Sequence, residues 1–97
     1  MPVSSILLAT TKDDKSTDLI KLLEDLIPET RMFPGCIDMK ILRNEEKPND
    51  FVFSGVWKSA SDYQKYLEYR TNQGVIDKLG NLLSSPPEIK ILCNTNI

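Results

Sequence analysis

The sequence predicts an α+β domain in which a four-stranded antiparallel sheet carries its helices on one face. Three observations predict it. Four short apolar segments read as strands, two longer segments carry a helical stripe, and they alternate in the order β-α-β-β-α-β. Right-handed crossovers then give a sheet of spatial order 4-1-3-2. The 97 residues make one domain, spanning 1–97. A chain of this size buries only about 60–65% of its unfolded surface and gains from a partner.

Val3 to Thr10 is a short apolar run, suited to a strand buried on both faces. Thr11 to Lys15 is polar, and Ser16 or Thr17 is a fair N-cap for the first helix. Leu19, Leu22, Leu23, Leu26 and Ile27 keep the spacing of an amphipathic helix, with Lys21, Glu24 and Asp25 on its solvated side. Pro28 lacks an N–H and its ring crowds the carbonyl of Glu24, so a kink or a fresh turn is expected there, with helix to about Met32. Pro34-Gly35 marks a turn.

Cys36 to Arg43 alternates, with Ile37, Met39 and Ile41 on one side and Asp38 and Lys40 on the other, as a strand with one wet face does. Asn44 to Asp50 is a polar hairpin loop, too long for a two-residue turn. The next strand places Phe51, Phe53, Gly55 and Trp57 on one face and Val52, Ser54 and Val56 on the other. Ser59 then sits where an N-cap belongs, with Asp62 three residues on. Ala60, Tyr63 and Leu67 recur at helical spacing, with Tyr66 and Arg70 beside them. Thr71 to Gly74 interrupts this helix, and Val75, Ile76, Leu79, Leu82 and Leu83 resume its stripe. Ser84 to Pro87 ends it, and Glu88 to Cys93 is the last strand, with Ile89 and Ile91 facing one way.

This order is the split βαβ, ferredoxin-like plan. It puts Cys36 and Cys93 on opposite sheet edges, roughly 14 Å apart at three strand spacings. A disulfide tolerates Cα atoms no more than about 7 Å apart, so the two do not pair within a chain. Some strands read as apolar on both sides, notably Ile6 to Ala9 of the first and the Val52 and Val56 side of the third, which leaves apolar surface on the sheet face without helices. An uncovered apolar sheet face marks an interface, and the expected partner is a second copy packed sheet on sheet.

Composition narrows the function classes. With 40% hydrophobic and 27% charged residues the chain is ordinary for a globular domain. Its 12 basic and 14 acidic residues are well mixed, which leaves no electrostatic footprint for nucleic acid or an anionic membrane. No apolar run approaches a membrane span and no signal-like start is present, so a cytoplasmic address is expected. Histidine is absent, which removes the commonest general base and the commonest neutral metal ligand. The two cysteines have no metal-ligand spacing. Zinc, haem and Ser-His-Asp mechanisms are therefore not expected.

Trp57, the only tryptophan, ends a strand and is faced by Tyr63 from the next helix. Two such rings either wall a pocket for a flat organic molecule or are ordinary core. Arg70 either supplies fixed positive charge beside them or pairs with Tyr66 or an acidic neighbour.

Arg31 with Pro34-Gly35-Cys36, Trp57 with Ser59, then Tyr63, Tyr66-Leu67, Arg70 and the double proline before the last strand together resemble the antibiotic biosynthesis monooxygenase family of dimeric α+β barrels. The resemblance covers nearly the whole chain. It implies a homodimer of ferredoxin-like chains, each with a pocket between sheet and helices, and in some members cofactor-free oxygenation of polyketide-type phenols. Relatives degrade haem or isomerise small signalling sugars. Trp57 and Tyr63 match the tryptophan and tyrosine that line the pocket of the phenol-oxidising members. The asparagine those members carry falls at Phe53 here, and their helix-borne arginine falls near Asp77. Haem-degrading relatives need a histidine that this chain lacks.

The resulting expectation is a cofactor-independent monooxygenase acting on a small phenolic or quinol-type metabolite. Tyr63 and Arg70 are the candidate catalytic residues, and Phe53, Trp57, Tyr63 and Leu67 the candidate substrate-binding residues. The alternative is a non-catalytic dimeric module that binds a small molecule. A third reading, isomerisation of a small oxygenated metabolite, would need a carboxylate base such as Asp38. A titratable side chain with a displaced pKa facing the pocket separates an enzyme from a binder.

Overall fold

Alternation in the two central strands decides which sheet face the helices cover. In β3 (Asp50–Trp57) the side chains of Phe51, Phe53 and Trp57 are buried, while Val52, Ser54 and Val56 are only half-buried. In β1 (Val3–Thr10) Ser5, Leu7 and Ala9 are buried, while Ser4, Ile6 and Leu8 are half-buried. Within one chain β1 is therefore covered on one face only, not on both as its apolar run predicts. The computed structural model describes all 97 residues.

The other elements are α1 (Ser16–Met32), β2 (Cys36–Arg43), α2 (Ala60–Asn72), α3 (Val75–Leu82) and β4 (Glu88–Cys93). All strand pairings are antiparallel and the order is β2-β3-β1-β4, the expected 4-1-3-2 read from the other edge. Leu19, Leu23 and Ile27 of α1, Tyr63 of α2 and Leu79 of α3 pack on Leu7, Ala9, Met39, Phe51, Phe53 and Trp57 of the sheet. One register row runs Cys36–Trp57–Val3–Cys93 across all four strands. The cysteines thus lie on opposite edges, and both are free.

Two local expectations change, while the helix end expected at about Met32 stands. The register of β2 shifts between Cys36 and Asp38, so Ile37 is the extra residue of a β-bulge and is 53% exposed. Cys36, opposite Trp57, takes the core-facing position that simple alternation assigns to Ile37. Helix α1 starts one residue early, with Lys15 at the N-cap and no side-chain cap, so neither Ser16 nor Thr17 fills that role. Pro28 lies inside a helix that continues to Met32. The carbonyl its missing N–H would have met belongs to Glu24, and both residues are on the exposed side, where water can serve instead.

The start of α2 agrees with its sequence. Ser59 accepts the Asp62 N–H at 3.1 Å, and its hydroxyl donates back to the Asp62 carboxylate at 3.0 Å. Just upstream, the Lys58 N–H donates to the Gly35 carbonyl at 2.8 Å, which ties the Pro34-Gly35 turn to the junction of β3 and α2.

Candidate functional site

Trp57 ends β3 on the helix-covered face and is 0% exposed. Its indole Nε1 donates to Ser5 Oγ at 3.2 Å across the central strand pair. Gly55 makes this possible. A Cβ there would stand 2.6 Å from Ser5 Oγ, 2.8 Å from the Met39 methyl and 2.8 Å from Trp57 Nε1. Tyr63 and Tyr66, three apart on α2, both lean on the indole, at centroid distances of 5.2 and 5.1 Å. The expected pair of rings is therefore present, with Tyr66 as a third member.

In front of these rings, between sheet and helices, lies a cavity of about 50 Å³. Leu7, Met39 and Phe53 form its floor, leucines of α1 one side, and Tyr63, Tyr66, Leu67 and Arg70 of α2 another. One face of α3 lines the remaining side. Of the sequence-predicted residues, Phe53, Tyr63, Leu67 and Arg70 meet at this wall, whereas Trp57 stands one layer behind Tyr63 and Tyr66. Asp38 is on the opposite sheet face, 3.9 Å from Lys40, and has no access to the cavity.

Tyr63 is 3% exposed, and burial pushes its phenol up to about 12; the nearby Ser5 hydroxyl works in the opposite direction. At neutral pH it is a fully protonated donor, not a base. Arg70 is likewise buried. Its Nε donates to the Tyr66 hydroxyl at 3.1 Å, Nη1 to Glu29 at 2.7 Å and Gln73 at 3.0 Å, and Nη2 to the Leu26 carbonyl at 2.9 Å and Thr30 Oγ1 at 3.1 Å. A guanidinium has five N–H groups, and all five are used. Burial disfavours its charge, but the bond to Tyr66 and the influence of Tyr66 and Glu29 outweigh that and raise its pKa. Arg70 therefore locks α1 to α2 and holds Tyr66, whose hydroxyl lies 2.7 Å from Thr30 Oγ1.

Ser5, Gly55, Glu29, Thr30 and Gln73 escaped the sequence reading. Ser5 alone left a signal, since it occupies a core-facing position in step with Leu7 and Ala9, and a polar group there needs a partner. Three of the five partners of Arg70, Glu29, Leu26 and Thr30, come from a helix about 40 residues away, which no local spacing reveals. Nowhere do three or more Cys, Asp or Glu side chains converge as a metal site would need. No helix is long and apolar enough to cross a membrane.

The family model of antibiotic biosynthesis monooxygenases matches residues 2–71, from β1 through nearly all of α2. The chain belongs to this family. The antibiotic biosynthesis monooxygenase match includes the elements that carry Ser5, Trp57, Tyr63 and Tyr66 and stops before α3 and β4. Among solved structures, a conserved protein from Methanosarcina mazei Go1 superposes with a TM-score of 0.90 at 21% identity, covering 98% of this chain and 94% of that one. Rv0793 from Mycobacterium tuberculosis gives 0.79 at 23% identity, with 97% and 95% covered. A variant of SnoaB, a cofactor-independent oxygenase from Streptomyces nogalater, gives 0.83 at 16% identity, with 97% and 93% covered. These likenesses concern the fold. No curated protein matches the sequence.

Proposed function

We propose that this antibiotic biosynthesis monooxygenase family member is a cofactor-independent monooxygenase for a small phenolic or quinol-type metabolite. The observation that carries the reading is Tyr63, a buried phenol held protonated up to about pH 12 at the wall of a cavity whose lining, Arg70 apart, is hydrophobic. A protonated donor in a dry site stabilises an oxyanion that forms on a bound ring. Phe53 and Leu67 pack the ring, and Trp57 fixes Tyr63 from behind. Arg70 acts through Tyr66, because none of its own N–H groups is free.

In this reaction the substrate supplies every electron. A phenol and O₂ give a quinone and water: one oxygen atom becomes the new carbonyl, the other leaves as water, and four electrons pass from ring to oxygen. The site contributes exclusion of water and a donor for the developing anion. The kinship with a cofactor-independent oxygenase fold supports this reading by analogy.

The same proposal includes a homodimer joined through the open sheet face. Ile6, Leu8, Val52 and Val56 lie half-buried there, and Leu42 and Leu92 are 51% and 47% exposed. Such a surface on a small domain gains from a second copy.

A second reading, a dimeric module that binds without chemistry, is favoured by the wall itself: every lining residue but Arg70 is hydrophobic. Oxygen uptake and Trp57 fluorescence, measured during titration with phenols and quinols, separate the two. Catalysis predicts uptake that falls sharply in Tyr63→Phe while binding persists. Binding without any uptake, in the wild type, leaves the module.

A further inference from the structure

A substrate does not fit the cavity as it stands. About 50 Å³ holds one or two waters, whereas small-molecule pockets run to roughly 300–1,000 Å³. If this is the ligand site, as the proposed function holds, one wall must move. The walls differ in how they are tied. The floor is the β1–β3 pair, matched in register over the full length of both strands. Helix α1 is fixed to the sheet edge by Arg31, whose Nε and Nη2 donate to the Met39 carbonyl at 3.2 and 3.1 Å. Helix α2 is fixed to α1 by Arg70, and the same guanidinium holds Gln73 at the end of α2.

Helix α3 has no tie of this kind. Its N-terminus lacks a side-chain cap, and none of its side chains enters a hydrogen bond or ion pair. It is held by apolar contact, chiefly of Leu79, and by backbone bonds at its far end. There the Lys12 N–H donates to the Leu82 carbonyl and the Ser84 N–H to the Thr10 carbonyl, both at 2.9 Å. Its near end joins α2 through Gly74, at φ +77° in open space. A glycine can absorb a backbone rotation there that other residues resist. An eight-residue helix with so few ties belongs to the low-stability end of a fold.

We propose that α3 is the movable wall of the cavity, swinging between Gly74 and the Leu83–Ser84 anchor to admit a ligand, and that Ile76 on its inner face limits ligand size. The first test needs no ligand: amide hydrogen exchange on the wild-type chain over a range of low urea concentrations. The Leu79 amide should exchange about tenfold or more faster than those of Leu23 and Leu26, with a weaker urea dependence, as a local opening does. Exchange of Leu79 only with global unfolding overturns the proposal.

The second test titrates phenol and the larger 2-naphthol against Trp57 fluorescence in wild type and Ile76→Ala. The affinity ratio should move toward 2-naphthol by about tenfold, the upper range for removing a few buried methylenes. An unchanged ratio removes Ile76 as the size limit. If α3 opens locally but neither probe binds the wild type, the moving wall stands and the ligand-site reading falls.

Discussion

Trp57 and Ser5 meet across the central strand pair, indole Nε1 to hydroxyl oxygen at 3.2 Å, in space that exists only because residue 55 is glycine. Each of the three depends on the other two. Ser5→Ala leaves the buried indole N–H without an acceptor, at a cost of about 1–3 kcal/mol. Gly55→Ala drives a methyl into Ser5, Met39 and Trp57 together and costs about the same through overpacking. Urea unfolding monitored by Trp57 emission checks both. A stability change below about 0.5 kcal/mol in either variant would contradict this packing.

Tyr63 makes stability pH-dependent at the alkaline end. The unfolded chain loses this proton near pH 10, while the native state keeps it to about 12. Between those values the native state binds more protons, so stability falls as pH rises through the window and is complete below it. Ultraviolet difference titration of the phenolates should show a late step near pH 12 that belongs to Tyr63. In Tyr63→Phe that late step should be absent and the alkaline loss of stability smaller.

Arg70→Lys replaces five fixed donors with three and cannot serve Tyr66, Thr30, Leu26, Glu29 and Gln73 together. Thr30 is fully buried, so at least one polar group loses its partner out of reach of water. A loss of roughly 2 kcal/mol is expected by denaturant titration. The Glu29 carboxylate contributes less than the 2.7 Å contact implies. Its side chain is 55% exposed against 3% for Arg70, and solvent screens the pair.

Ser59→Ala removes the cap of α2 and should cost about 1 kcal/mol, with Ser59→Gly costing only a few tenths. Thermal unfolding of the three proteins orders them. Equal stability of the alanine and glycine variants would mean that the Ser59–Asp62 exchange of hydrogen bonds is not what holds this end.

The proposed dimer is tested at the two exposed leucines of the open face. Leu42→Lys and Leu92→Lys place charge on the edge strands, away from the core. Sedimentation should show a dimer in the wild type and monomer in the double variant at micromolar concentration, with secondary structure unchanged. A monomeric wild type would remove the dimer.

The order of elements, the sheet topology and the covered face of β3 were legible in the sequence, because periods of two and of 3.6 are properties of the local chain. So was the Ser59 cap, which involves residues three apart. The aromatic pair Trp57 and Tyr63 was legible for the same reason, lying as it does on adjoining elements. The bulge at Ile37 was not, since a one-residue slip is set by pairing with β3. Nor was the fate of Arg70, whose alternatives the helix alone left open. Only packing against α1 brought Glu29, Thr30 and Leu26 to it and left none of its donors for a ligand. Local sequence determines which way a side chain faces. What it meets there, and how much space remains, depends on segments some forty residues away.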